Sequence, residues 1–186
     1  MDLSSVLLNG SLYRLSIYIR NQRNQTGLTF ESLQLKWRDQ KSKLQWKSLS
    51  PPKQQKKGWI SGMAMTVWNG SVVVCGGRQL VSSSLIYQLR SCHLYSVNQE
   101  RWLAMGSMTE PRSLFGLVSF NGRLLAMGGN HIPALNVSLI TTKQSANRFR
   151  HPYSRTVEEY KAKTDSWHLL DFSLISPRWD FLAIAY

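Results

Sequence analysis

The side chains that could carry chemistry are few and scattered. Four histidines, His93, His131, His151 and His168, accompany two cysteines, Cys75 and Cys92. Metal ligands recur at short, regular spacings set by the coordination sphere, and these six residues show none. Glycine pairs at Gly76-Gly77 and Gly128-Gly129 end two similar stretches, NGSVVVCGG (69–77) and NGRLLAMGG (121–129). A phosphate-cradling glycine loop leads into a helix and a Lys-Ser/Thr pair, and neither follows here. Gly-x-Ser-x-Gly is absent, and no nucleophile stands with a base and an orienting group. The expectation is therefore a non-enzymatic chain with no catalytic residue, no metal and no cofactor.

The same two stretches read better as architecture. Asn and Gly tolerate the positive φ of a two-residue hairpin turn. Asn69-Gly70 and Asn121-Gly122 lie 52 residues apart, each between strand-like runs. Further on, Tyr95 and Trp102 flank six mostly polar residues, as do Tyr160 and Trp167, 65 residues later. Pro111-Arg112 and Pro177-Arg178, 66 residues apart, each lead into an apolar run. Short strands with turn signals at regular intervals predict an all-β repeat, and a period near 50 residues fits a propeller blade.

The ordered set of Asn-Gly, Gly-Gly, Tyr-x6-Trp and Pro-Arg, occurring twice, resembles the kelch repeat. The resemblance implies a partial kelch-type β-propeller of about three four-stranded antiparallel blades over residues 1–186. The blade-equivalents are about 9–58, 59–110 and 111–176, with 177–186 as strand a of a next or closing blade. The first is diverged: Asn9-Gly10 keeps the turn, Ser16 and Ile17 stand at the Gly-Gly position, and Trp46 serves as the Trp. Predicted strands b, c and d run over 11–19, 29–37 and 44–49 in the first blade. Strands a to d run over 60–68, 71–77, 85–95 and 101–105 in the second, and over 112–120, 123–129, 155–161 and 166–172 in the third. A last strand a covers 178–186. Leu8, Trp68, Phe120 and Tyr186 share one position in the unit, so this last strand is expected to complete a first blade lacking most of its own.

Structural roles follow for most motif residues. Gly76, Gly77, Gly128 and Gly129 mark close backbone approach where strands crowd the axis. Tyr95, Trp102, Tyr160 and Trp167 pack blade on blade. Arg112 and Arg178 suit donation to backbone carbonyls at blade ends through a five-donor fork. Function then falls to loops. In kelch proteins that recruit substrates to ubiquitin ligases, the binding face includes residues after Gly-Gly and after Pro-Arg. Here these are Arg78, Asn130, His131, Ser113 and Trp179. The resemblance implies a protein-interaction module with a protein partner bound through blade loops, in the manner of a substrate adaptor for a cullin-RING ubiquitin ligase. Kelch-bearing oxidases need a copper site, which these residues do not assemble.

Charge suggests an alternative. The chain carries 23 Lys and Arg against 10 Asp and Glu, a net charge of +13. Eight basic residues and one acid fall between Lys36 and Lys57, with Trp37 and Trp46 interleaved. Residues 36–57 are thus a candidate surface for an acidic partner, a polyanion or nucleic acid. Three blades fall short of the 4–8 of typical propellers. Either further blades or self-association complete the ring, or the chain is a truncated fragment without independent activity. No run approaches the ~18 apolar residues of a membrane span, so no membrane partner is expected. Two cysteines are too few for a disulfide framework. Cys75 in an apolar run reads as a buried thiol, and with it a reducing, cytoplasmic location.

Overall fold

The computed structural model describes residues 4–20, 25–35, 45–52, 59–82, 85–130, 135–136, 153–181 and 183. Among the described residues fourteen strands are formed, and no helix is long and apolar enough to cross a membrane. The first sheet joins β1 (Ser4–Leu8), β2 (Ser11–Arg20), β3 (Gln25–Gln34) and β4 (Lys47–Leu49) in that order. The second is built from β5 (Trp59–Trp68), β6 (Ser71–Ser82), β8 (Cys92–Ser96) and β9 (Arg101–Met105). It is extended on one side by β7 (Leu85–Gln88) and β12 (Leu135–Asn136). The third joins β10 (Gly116–Phe120), β11 (Arg123–Met127), β13 (Thr156–Lys161) and β14 (Ser166–Ser173). Every pairing is antiparallel.

The Asn-Gly turns behave as their chemistry requires. Asn9, Asn69 and Asn121 have φ of 49°, 46° and 49°, and each following glycine is also positive. Side chains on alternate faces then form two large cores, beside a smaller cluster of Leu28 and Ile60. Leu8, Tyr13, Leu15 and Phe30 of the first blade meet Val72, Val74 and Tyr95 of the second. Trp68, Val73, Cys75 and Cys92 of the second meet Leu117, Leu124, Ala126 and Trp167 of the third. Tyr95 stands opposite Trp102, and Tyr160 opposite Trp167, as the six-residue gaps predict.

One hydrogen-bond set is repeated from blade to blade. Gly76 N donates to Ser91 O and Gly77 N to Arg112 O. Gly128 N donates to Thr156 O and Gly129 N to Arg178 O. Each glycine pair thus ties its own strand c to the start of the next blade. A Cβ on Gly129 would lie 2.5 Å from Phe115 Cβ and 2.9 Å from Ser113 O, so close approach and positive φ both demand glycine. Leu114 N donates to Gly62 O, and Asp180 N to Leu114 O. These three residues occupy equivalent places, all at φ of 53° to 66°.

Three expectations are corrected. The first blade has its own strand a, β1, paired with β2 from Ser4↔Leu15 to Leu8↔Ser11, so the C-terminal residues are not needed there. Residues 178–181 and 183 form no strand; 182 and 184–186 lie outside the described residues. The backbone here is engaged in single bonds instead: Gly129 N donates to Arg178 O and Asp180 N to Leu114 O. Finally, Cys75 is not a free thiol. The β6–β8 register sets Cys92 directly opposite, with Cα atoms 4.2 Å apart, and the two form a disulfide. Cytosolic thiols stay reduced, so the pairing removes the ground on which a cytoplasmic location was expected.

Candidate partner-binding face

The strands of the second blade run past their neighbours at one end, and there the loops converge. β6 continues beyond Gly77 and holds Arg78 between Ser61 of β5 and Gln88 of β7. Arg78 Nε donates to the buried Ser61 Oγ at 3.0 Å. Gln88 Nε2 donates to Ser113 Oγ at 2.9 Å and to Asn130 O at 2.7 Å. Ser113 and Asn130 exchange backbone bonds across the third blade, and Asn130 bridges onward to Tyr153. Tyr153 stacks on Trp179 with ring centroids 3.7 Å apart and planes 7° from parallel. Arg78, Ser113, Asn130 and Trp179 are therefore brought into one continuous network. β12 pairs with β7, carrying part of the long 130–154 loop onto the same end.

The members differ in access. Ser113 is fully buried, so its hydroxyl positions Gln88 and presents nothing to a partner. Arg78, Gln88, Asn130 and Tyr153 are half-buried, and Trp179 is 46% exposed. Asn130 Oδ1 is enclosed without a hydrogen-bond partner among the described residues. His131 lies outside the described residues. Gln88 and Tyr153 were not singled out in the sequence; their roles depend on β7 folding back on β6 and on Tyr153 reaching the segment after Pro177.

Arg112 and Arg178 carry the same motif into different surroundings. Arg112 is fully buried: Nε donates to Glu158 Oε1 at 2.9 Å, Nη1 to Gly128 O at 2.7 Å, and Nη2 to Thr156 Oγ1 at 2.6 Å. Glu158, also fully buried, accepts from the backbone N–H of Thr109 and Glu110. In the second blade Ile60 and His93 stand where Arg112 and Glu158 stand in the third. Both line a cavity of about 40 Å³, room for a few waters and not for a substrate. Burial holds the His93 pKa below its usual value. On the far side of the third blade, Glu159 bonds Arg123 and Lys161, which hold its carboxyl down at about 2. Burial and a bond to Asp165 push Tyr160 up to about 12. No group of three His, Cys, Asp or Glu among the described residues could hold a metal ion.

Known proteins add to this picture. No protein-family profile matches the chain. Kelch-like protein 33 of Homo sapiens is 33% identical over 87 residues, which is 47% of this chain and 16% of that protein. The solved structure of YjhT, a kelch-repeat β-propeller, superposes with a TM-score of 0.68 at 14% identity, over 96% of this chain and 52% of that one. The chain is a partial kelch-type propeller. It spans about half the length of YjhT and a smaller part of kelch-like protein 33. Within this kelch arc, the network from Arg78 to Trp179 crosses the ends of the second and third blades.

Proposed function

We propose that this kelch arc is a non-enzymatic protein-interaction module that binds its partner through Arg78, Gln88, Asn130 and Trp179. The observation that carries the reading is the convergence of four loops from two blades into one hydrogen-bonded network ending in the Tyr153–Trp179 stack. Rigid aromatics and arginine dominate protein-binding energies, because they bury large area at small entropic cost. Arg78 suits a carboxylate, the Asn130 amide a peptide backbone, and Trp179 an apolar or ring side chain. The likeness to kelch-type adaptors supports a finer reading, in which the bound protein is a substrate recruited for a cullin-RING ubiquitin ligase. Completion of the ring by further blades or by self-association belongs to the same reading.

Photo-crosslinking from position 88 in cells tests the face. Arg78→Ala, Asn130→Ala and Trp179→Ala together should abolish the crosslinked species while the fold persists. Undiminished crosslinking refutes the assigned face, and absence of any specific crosslink favours an inactive fragment. For the ligase reading, ubiquitylation of the crosslinked protein should fall when cullin neddylation is blocked; unchanged ubiquitylation removes it. Polyanion binding at 36–57 draws no support from the part of that segment described. There Lys47 pairs with Glu100, and the Trp46 ring is covered by Arg14 at 3.9 Å.

A further inference from the structure

The junction of the first and second blades lacks the charge pair that fills the next one. Gly62 and Leu114 hold equivalent places, so Ile60 stands where Arg112 stands. Val74 and Ala126 each lie five residues after the turn asparagine, and their register partners are His93 and Glu158. Cation and carboxylate are both replaced, and an imidazole faces the cavity of about 40 Å³ between the blades. Of the two histidines among the described residues, His168 is exposed and bonded to Ser166, whereas His93 is half-buried.

Among the described residues, nothing that faces His93 can take up a charge. From the first blade comes Leu28 of β3, with Pro52 beyond β4. β5 brings Ile60 and Met63, and β6 brings Val74, disulfide-bonded Cys75, Gly76 and Gln79. Leu89 and Ser91, on the approach to β8, complete the wall, and Ala104 is the register partner on β9. Arg90 is exposed and has the same sign as an imidazolium. Burial therefore acts on the ring without a compensating charge or hydrogen bond, and it holds the pKa below the usual 6.5.

We propose that His93 is an acid-sensitive latch, whose protonation parts the first blade from the second at the Leu28–Ile60 end. An imidazolium must keep water or a partner around it, and this cavity holds only a few waters. Hydrating the ring means drawing Leu28 away from Ile60 and Met63. Leu28 and Ile60 form the smallest apolar cluster among the described residues, so this end resists least. The next junction has no histidine among its described core residues and keeps Arg112 paired with Glu158. The opened ring binds its proton near the ordinary 6.5 and the closed ring only at lower pH. Closure is therefore complete above about pH 6.5 and weakens as pH falls towards the folded value, by at most about tenfold per pH unit for one proton. The latch does not rest on the partner-binding reading.

NMR of the Met63 methyl group tests it, with a neutral gadolinium chelate as the probe of access and Met108 as the internal reference. Met63 lines the cavity, and Met108 is buried at the next junction. Between about pH 7.5 and about pH 5.5 the relaxation of Met63 by the chelate should rise at least about threefold while that of Met108 stays constant, within the ceiling set by one proton. His93→Gln keeps a neutral side chain of similar size and should abolish the rise. The imidazole resonance of His93 in the native chain should titrate below 6.5, with the Met63 change following the same curve. That comparison needs no variant, so it stands even where His93→Gln folds poorly. Unchanged access in the native chain, the same rise in His93→Gln, or an equal rise at Met108 would overturn the latch.

Discussion

Glu158→Gln is the most informative single change in the core. It removes one charge from a pair whose side chains are both fully buried and barely alters shape. Among the described residues Arg112 would keep one carboxylate, Glu110 at 3.1 Å, and that group is partly exposed. Glu158 also accepts from the N–H groups of Thr109 and Glu110. An amide offers one oxygen where the carboxylate offers two, so one of these donors or the guanidinium loses its partner. Breaking a buried pair costs about 3–5 kcal/mol. The remaining Glu110 places this case near 3 kcal/mol. With an m-value of about 2 kcal/mol/M for urea, the unfolding midpoint should fall by about 1.5 M. Tryptophan fluorescence reads the transition, since Trp167 is buried in the same blade. The variant Arg112→Met with Glu158→Leu should lose less than the sum of its two single changes, with a coupling of about 1 kcal/mol or more. His93→Gln at the equivalent place in the second blade, opposite Ile60, should cost less than Glu158→Gln. A midpoint shift below about 0.3 M for Glu158→Gln, or strictly additive single changes, would refute the role given to this pair.

Glu159 sets an acid limb of stability. Its folded pKa of about 2 lies below the ordinary value of 4.5, mainly through the Arg123 bond and then the Lys161 bond. Its contribution is therefore complete above about pH 4.5 and is lost as pH falls towards 2, so Glu159→Gln should flatten stability in that window when urea midpoints are compared. The native chain should titrate no free thiol, and reduction of Cys75–Cys92 should lower stability by about 3 kcal/mol for a closed loop of this length; two reactive thiols in the oxidised native protein would refute the pairing. Gly129→Ala should cost about 2 kcal/mol more than Gly122→Ala, because a Cβ at 129 meets Phe115 and Ser113 while one at 122 meets nothing within 4 Å. Equal losses on thermal unfolding would contradict the close approach at the blade end.

The parts of the fold legible in the sequence are those that depend on local chemistry. Asn-Gly turns, the glycine pairs and the Tyr-x6-Trp hairpins require particular residues at fixed offsets, and they recur in the second and third blades. The buried Glu158 was not legible, because its counterpart in the second blade is His93 and that of Arg112 is Ile60. Only the strand register reveals that His93 and Glu158 occupy one place. The disulfide needed the same register: Cys75 and Cys92 are 17 residues apart and meet only because β8 pairs with β6. Strand β1 is a short five-residue run without a motif of its own, and the segment after Pro177 makes single backbone bonds to Gly129 and Leu114 in place of the predicted strand. In the candidate face, the resemblance to kelch adaptors implied Arg78, Ser113, Asn130, His131 and Trp179, of which His131 lies outside the described residues. It did not show that Ser113 is buried, or that Gln88 links it to Asn130.

We propose that a kelch-type arc presents its binding face at the blade ends that carry Arg78, Asn130 and Trp179. Hydrogen exchange with and without the crosslinked partner tests it most directly. Slowed exchange over 78–88, 113–114, 130 and 178–180, with the Asn9-Gly10, Asn69-Gly70 and Asn121-Gly122 turns unchanged, is the predicted result. Protection centred on those three turns, at the opposite end of the blades, would contradict it.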